Sequence, residues 1–218
     1  MDLKPGYKQT EVGVIPEDWD VKPLVEISAE IGDGIHTTPE YVPSSAFFFI
    51  NGNNLVDGKI AILENTMCIS EPEYRRLRKN LNDRTILISI NGTIGNLATF
   101  NGETVVLGKS AAYINIFKNI YREYIYYHLM SAATANYIEN ELTGTTINNF
   151  SLESLRNTPI PVPRTQEEQR AIAAALSDVD ALITALDRLI AKKRDIKQAA
   201  MQELLTGKRR LPGFACDN

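Results

Sequence analysis

The chain has 218 residues, 44% of them hydrophobic, enough for one globular domain with a genuine core plus an appendage. The formal net charge of −4 argues against a protein that holds nucleic acid by a uniform positive field. The acid lies in residues 1–165, with 14 Lys+Arg against 19 Asp+Glu, whereas residues 166–218 carry 9 against 8.

In chain order, residues 1–20 read as an extended lead-in punctuated by Pro5, Gly6, Gly13 and Pro16 and closing on the only tryptophan, Trp19. Residues 21–27 fit a short strand or a turn of helix, and residues 32–43 (GDGIHTTPEYVP) a polar loop. A buried strand is predicted over 47–50, then the polar run Asn51 to Asn54, the turn Asp57-Gly58 and a strand over 59–63. Ser70 with Glu73 forms a capping box that opens a short helix through EPEYRRLRKN. Residues 85–90 (TILISI) are a strong strand, with further strands over 95–100, 104–107 and 112–117, separated at Asn91-Gly92 and Asn101-Gly102. One helix is expected over 121–142, and a one-turn helix capped by Ser151 over LESLR. The run PIPVPR (159–164) reads as a stiff, proline-set connector that ends the domain. The expected class is therefore α+β: a mainly antiparallel-sheet domain over 1–160, then a linker and one long coiled-coil helix within 161–218.

That helix is predicted over 166–206, a stretch free of Pro and Gly, with Thr165 as N-cap, Glu168 three residues on and Gly207 as C-cap. At 1.5 Å per residue it is about 60 Å long. Its apolar residues recur every seven positions on three strips. The first is Ile172, Val179, Leu186, Lys193, Ala200. The second is Ala175, Leu182, Leu189, Ile196, Glu203, and the third is Leu176, Ile183, Ile190, Lys197, Leu204. Such a face must be buried against a helix of similar length, and none occurs elsewhere in the chain. A second chain is the expected partner, with Ile172, Leu176, Val179, Leu182, Ile183, Leu186, Leu189, Ile190 and Ile196 as dimerisation residues; the alternative is a helix folded back on its own domain. Lys193 either fixes register or lets its stem lie along the seam with its charge in water.

Tests for chemistry are mostly negative. Leu107-Gly108-Lys109-Ser110 looks like the end of a P-loop, but the required earlier glycine is Glu103. There is no G-x-G-x-x-G after a strand, no G-x-S-x-G, and no Asn/Asp-Pro-Pro-aromatic string. Neither His36 nor His128 sits in a metal-ligand motif, so no catalytic residue and no metal site is expected. Cys68 and Cys216 are far apart and match no metal spacing, which fits free thiols in a reducing compartment. The start, MDLKPGYKQT, has no secretory pattern and the chain no long apolar run, so a cytoplasmic protein without a membrane span is expected.

What the chain does hold is five polar loops whose side chains suit base edges and phosphates. Their candidate DNA-contacting residues are His36, Thr37, Thr38 and Tyr41; Asn51, Asn53 and Asn54; Ser89, Asn91, Thr93 and Asn96; Lys109 and Ser110; and Thr145, Thr146, Asn148 and Asn149. For any one loop, ordinary turn chemistry is the competing explanation.

Several blocks together carry a resemblance: GVIPEDW (13–19), GDGIHTTPEY (32–41), INGNNLVDGKI (50–60), ISINGTIGN (88–96), LGKSAAYI (107–114), TGTTINNFSLESLRNTPIPVP (143–163), EEQRAIA (167–173) and MQELLTGKRRLPGF (201–214). With these the chain resembles the specificity subunit of type I restriction–modification systems over nearly its whole length. The resemblance implies a non-catalytic target-recognition domain that binds double-stranded DNA, and a conserved spacer helix. It implies partners that do the chemistry: an adenine methyltransferase subunit using S-adenosylmethionine, and a restriction subunit driven by ATP with Mg. No cofactor is expected in this chain itself. Arg188, Lys192 and Arg194 on the outer helix face could receive the methyltransferase, or could be a solvated face. Family members usually hold two recognition domains and two antiparallel helices, and this chain has one of each. It is then either a half-subunit that dimerises through antiparallel helices or the first half of a longer protein. The rival readings are a stand-alone nuclease and an assembly protein without sequence readout.

Overall fold

The computed structural model describes residues 4–142 and 149–214, and the chain divides into two compact units, Met1–Ala173 and Ala174–Asn218. The lead-in is not simply extended: β1 (Tyr7–Thr10) and β2 (Gly13–Pro16) pair as a hairpin. Next come β3 (Asp20–Pro23), a 3-10 turn (Leu24–Ile27) and β4 (Ser28–Asp33). β5 (Tyr41–Val42) and β6 (Phe48–Ile50) lead to a second 3-10 turn at Gly52–Asn54. β7 (Leu55–Val56) and β8 (Lys59–Ile60) form a tight hairpin, shorter than the strand expected over 59–63. Its central residues Asp57 (φ 49°) and Gly58 (φ 76°) both take the left-handed conformation that a two-residue turn requires. β9 (Cys68–Ile69) precedes α1 (Glu71–Leu77), capped as expected by Ser70, whose Oγ accepts the Glu73 N–H at 3.3 Å.

β10 (Thr85–Ser89), β11 (Leu97–Thr99), β12 (Val105–Leu107) and β13 (Ala111–Ile116) follow. After them come α2 (Arg122–Leu129), α3 (Ala132–Leu142), α4 (Leu152–Arg156), β14 (Pro159–Val162) and α5 (Gln166–Leu205). The main sheet has the order β11-β10-β13-β4 and is antiparallel throughout. A second sheet, β12-β6-β9-β5, is antiparallel except for the parallel pair β12–β6. The α+β class with a mainly antiparallel sheet is thus the fold observed.

Period-two alternation explains how the main sheet is buried on both faces. Ile86 and Ile88 of β10 and Ala112, Ile114 and Ile116 of β13 join one core with α2, α3, α4 and β14. Leu87, Ala111 and Tyr113 point the other way, into a second core with Ile50, Leu55, Val105 and Leu107. Each fully buried Leu or Ile adds about 1.5–3 kcal/mol of hydrophobic stabilisation, so β10, buried along its whole length, is the keystone of both cores.

Two further expectations are corrected here. The helix over 121–142 is two helices, because Ser131 turns the chain: its N–H bonds the His128 carbonyl at 2.9 Å, and its hydroxyl accepts the Thr134 N–H that starts α3. The proline-set connector is in part a strand, β14, paired antiparallel with β3. Pro159 and Pro161 share one parity and lack donors, which a two-stranded ribbon with an open edge tolerates. The Pro161 carbonyl accepts the Tyr124 hydroxyl at 2.6 Å.

The first turns of α5 belong to the first unit, which runs past residue 160 to Ala173. Gln169 is almost wholly buried; its Oε1 accepts the Tyr121 N–H at 2.8 Å and its Nε2 donates to the Pro163 carbonyl at 3.2 Å. The Trp19 Nε1–H donates to Glu168 at 3.3 Å, while Ala173 and Ile172 pack on the first core. The block EEQRAIA is therefore a latch for the start of the helix. Ile172, expected in a dimer seam, packs here instead, and this is a correction. In the second unit, Leu176, Val179, Leu182, Ile183, Leu186, Leu189, Ile190 and Ile196 are 42–59% exposed. Gly207 (φ 71°) ends the helix in the left-handed conformation.

His128, half-buried, donates from Nε2 to the Pro159 carbonyl at 3.2 Å, and burial holds its pKa below the ordinary value of 6.5. The fold thus prefers the neutral ring. This contribution to stability is complete above about pH 6.5, where the unfolded chain is also neutral, and is lost as the pH falls below that value. A urea midpoint falling between pH 7.5 and 5.5, with a shallower fall for His128→Gln, is the expected result; equal slopes would refute it.

Candidate nucleic-acid interface

β4 and β10 both run antiparallel to β13, so their C-terminal ends and the start of β13 lie at one end of the main sheet. The parallel pair β6 and β12 likewise end together. The two ends are joined where Ile35 bridges Gly108: the Ile35 N–H bonds the Leu107 carbonyl at 2.7 Å, and the Gly34 N–H bonds that of Ala111 at 3.0 Å. The Gly108 N–H reaches the Ile50 carbonyl at 2.7 Å. The Gly52 N–H donates to Ser110 Oγ at 2.9 Å, and that hydroxyl donates to Asn51 Oδ1 at 3.1 Å. Asn91 Nδ2 donates to the Lys109 carbonyl at 3.3 Å, and Asn91 bridges Asn149. Loops separate in the sequence therefore form one hydrogen-bonded surface.

The side chains on it divide into two sets. His36, Thr37, Thr38, Asn53, Thr93, Lys109 and Asn149 are exposed. His36 donates from Nε2 to Asp33 at 2.7 Å, a partner that sequence reading did not single out. Asn51, Asn54, Ser89 and Ser110 are turned inward, and for these the expected contact role is corrected. Asn54 Oδ1 accepts the Asn51 N–H at 3.0 Å while its Nδ2 donates to the Ala61 carbonyl at 3.0 Å. Ser89 is fully buried; its hydroxyl bonds the Thr93 carbonyl and accepts the Asn96 N–H at 2.8 Å, which shapes the turn between β10 and β11. Asn91 and Asn96 are half-buried. Tyr41 stands apart on the edge strand β5, its ring 5.9 Å from that of Phe49. Thr145, Thr146 and Asn148 lie outside the described residues.

Close backbone approach is a feature that sequence reading missed. A Cβ at Gly34 would lie 2.2 Å from the Leu107 carbonyl oxygen, and one at Gly108 2.2 Å from Asn51 Oδ1. Glycines next to polar residues at strand ends were the available signal. The apparent P-loop ending is part of this junction: the Gly108 N–H and the Ser110 hydroxyl are both engaged internally. The surface offers hydrogen-bond donors and acceptors more than charge, with Lys109 as its exposed cation. Among the described residues, no group of three or more His, Cys, Asp or Glu is placed to hold a metal ion, and no helix is long and apolar enough to cross a membrane.

This fold is that of a DNA-specificity domain. The family model described as type I restriction modification DNA specificity domain matches residues 16–197, and the chain belongs to that family. It is 27% identical over 214 residues to the type I restriction enzyme MjaVIII specificity subunit of Methanocaldococcus jannaschii, covering 94% of this chain and 50% of that protein. Among solved structures it is similar to the HsdS subunit from Thermoanaerobacter tengcongensis, with a TM-score of 0.59, 23% identity, and coverage of 87% of this chain and 45% of the other. It is also similar to a chain from a structure on complex assembly and conformational transition of the type I R-M system, with a TM-score of 0.62, 23% identity, and coverage of 87% and 46%. The chain spans about half the length of the relatives it matches.

Proposed function

We propose that this chain is a non-catalytic reader of DNA sequence that recognises one half-site of a bipartite target and directs partner subunits to it. Recognition belongs to the first unit, which runs to Ala173, and pairing to the length of α5 beyond it. The observation that carries the reading is the convergence of polar loops on one surface whose exposed side chains are hydrogen-bond formers. In the major groove, Thr37, Thr38, Asn53, Thr93 and Asn149 would meet base edges, with Lys109 on a phosphate. The free face of α5 pairs with a second copy, and a two-fold dimer reads a symmetric, interrupted site. Adenine methylation and cleavage are carried out by methyltransferase and restriction subunits, which bind S-adenosylmethionine, ATP and Mg. On this reading the protein works in the cytoplasm, with the DNA it reads.

Mapping adenine methylation across the genome with and without this gene tests the reading. Disappearance of one bipartite motif on deletion is expected, and an unchanged methylation pattern would overturn it. At the level of residues, Lys109→Ala should weaken binding alike on all sequences and lower the slope of log affinity against log salt by about 0.9. Asn53→Ala should instead relax the preference at one base position.

A further inference from the structure

The surface formed by the loops carries an acid. Asp33 ends β4 with its side chain 23% exposed, and a carboxylate at that place repels phosphate. Its partner is His36, 69% exposed, whose Nε2 lies 2.7 Å from Asp33 Oδ2. An ionised carboxylate only accepts hydrogen bonds, so the proton of this contact sits on Nε2. The second ring nitrogen, Nδ1, has no partner among the described residues. Three further charged groups stand around the pair. Lys109 follows Gly108, which bridges Ile35. Arg156 of α4 donates to the Ile31 carbonyl at 3.1 Å. Glu30, which accepts the Tyr113 hydroxyl at 2.6 Å, belongs to the opposite face of β4.

We infer that His36 holds a DNA phosphate as the imidazolium, with Asp33 fixing the ring, so that DNA binding takes up a proton from solvent at this pair. The inference rests on the reading that this surface meets DNA. With a neutral ring, Nδ1 is a bare acceptor beside a carboxylate, and both turn phosphate away. The imidazolium donates from Nε2 to Asp33 and from Nδ1 to a phosphate oxygen, two charge-assisted bonds. Protonation also changes the pair from net negative to neutral. Histidine changes charge between about pH 5 and 8. Binding favours the protonated form, so affinity rises as the pH falls through that range and declines as the ring loses its proton. Lys109 stays charged throughout and gives no such dependence. His128, the other histidine of the chain, is bonded to the Pro159 carbonyl and acts on the stability of the first unit.

The test follows binding of the full chain to a rhodamine-labelled duplex of mixed sequence by fluorescence anisotropy, at constant ionic strength. The parent should bind about tenfold more tightly at about pH 6 than at about pH 8. Its slope of log affinity against log salt should be steeper by about 0.9 at the lower pH, one more phosphate being neutralised there. His36→Gln should match the parent at the higher pH and lack the gain on acidification. Asp33→Asn should bind more tightly than the parent at the higher pH, because the surface loses an acid, and should gain less on acidification. Loss of a merely structural contact would not tighten binding. A parent affinity that is flat or rises with pH, a His36→Gln chain that keeps the gain, or an Asp33→Asn chain that binds more weakly would overturn the role of the pair while leaving DNA binding intact. A parent chain that binds the duplex at neither pH would instead overturn the reading of the surface on which the inference rests.

Discussion

Leu186→Asp is expected to turn a dimeric chain into a monomer. Leu186 lies at the centre of the apolar strip on α5 and belongs to neither core of the first unit. In a two-fold seam the substitution acts twice, placing an unpaired carboxylate among leucines at both symmetric positions. Burial of an uncompensated charge costs about 3–5 kcal/mol, which is more than a hundredfold in the dissociation constant. Sedimentation equilibrium should show the change, while the unfolding of the recognition unit, followed through Trp19 fluorescence, stays as in the parent. In the restored gene this variant should no longer support methylation of a bipartite motif. A variant that remains dimeric would refute the seam.

The second large effect is expected at Gly34, where β4 leaves the main sheet and the chain meets the end of β12. A methyl group there would lie 2.2 Å from the Leu107 carbonyl oxygen and 2.3 Å from that of Gly108. Both are backbone atoms held in the junction between the two sheets, so neither can move without opening it. Gly34→Ala should therefore lose about 1–3 kcal/mol of stability by overpacking and most of its DNA affinity, because the loops it joins would no longer share one surface. Gly92→Ala is the comparison: its φ of 75° brings some strain, but there is open space around the added methyl. A urea midpoint for Gly34→Ala equal to that of the parent would show that the junction is soft and contributes little to the site.

Local signals were the legible part of this chain. The helix over 166–205 is written in forty residues without Pro or Gly, and helical hydrogen bonds need nothing outside the segment. The strand TILIS was equally plain from its β-branched run, and Ser70 and Ser151 announced the helices they cap. Two of the departures arise where a partner distant in sequence intervenes. β14 is a strand because β3, about 140 residues earlier, supplies its ladder. Ile172 has the spacing of a seam residue, yet it packs on the domain because Gln169 and Trp19 hold the start of the helix there.

The candidate interface divides along the same line. Residue types alone determined that the chain carries several loops rich in Asn, Thr and Ser, a cation at Lys109 and an unpartnered apolar helix face. Only the tertiary structure decided that the loops join into one surface, and which of their side chains are free to meet a ligand. An amide or hydroxyl that can read a base can equally satisfy a neighbouring backbone group. Asn51, Asn54, Ser89 and Ser110 do the latter because Gly52, Ala61, Asn96 and each other come within hydrogen-bond distance once the sheets assemble. Composition fixes how many donors and acceptors a loop has; their neighbours in the folded chain fix how many remain for DNA.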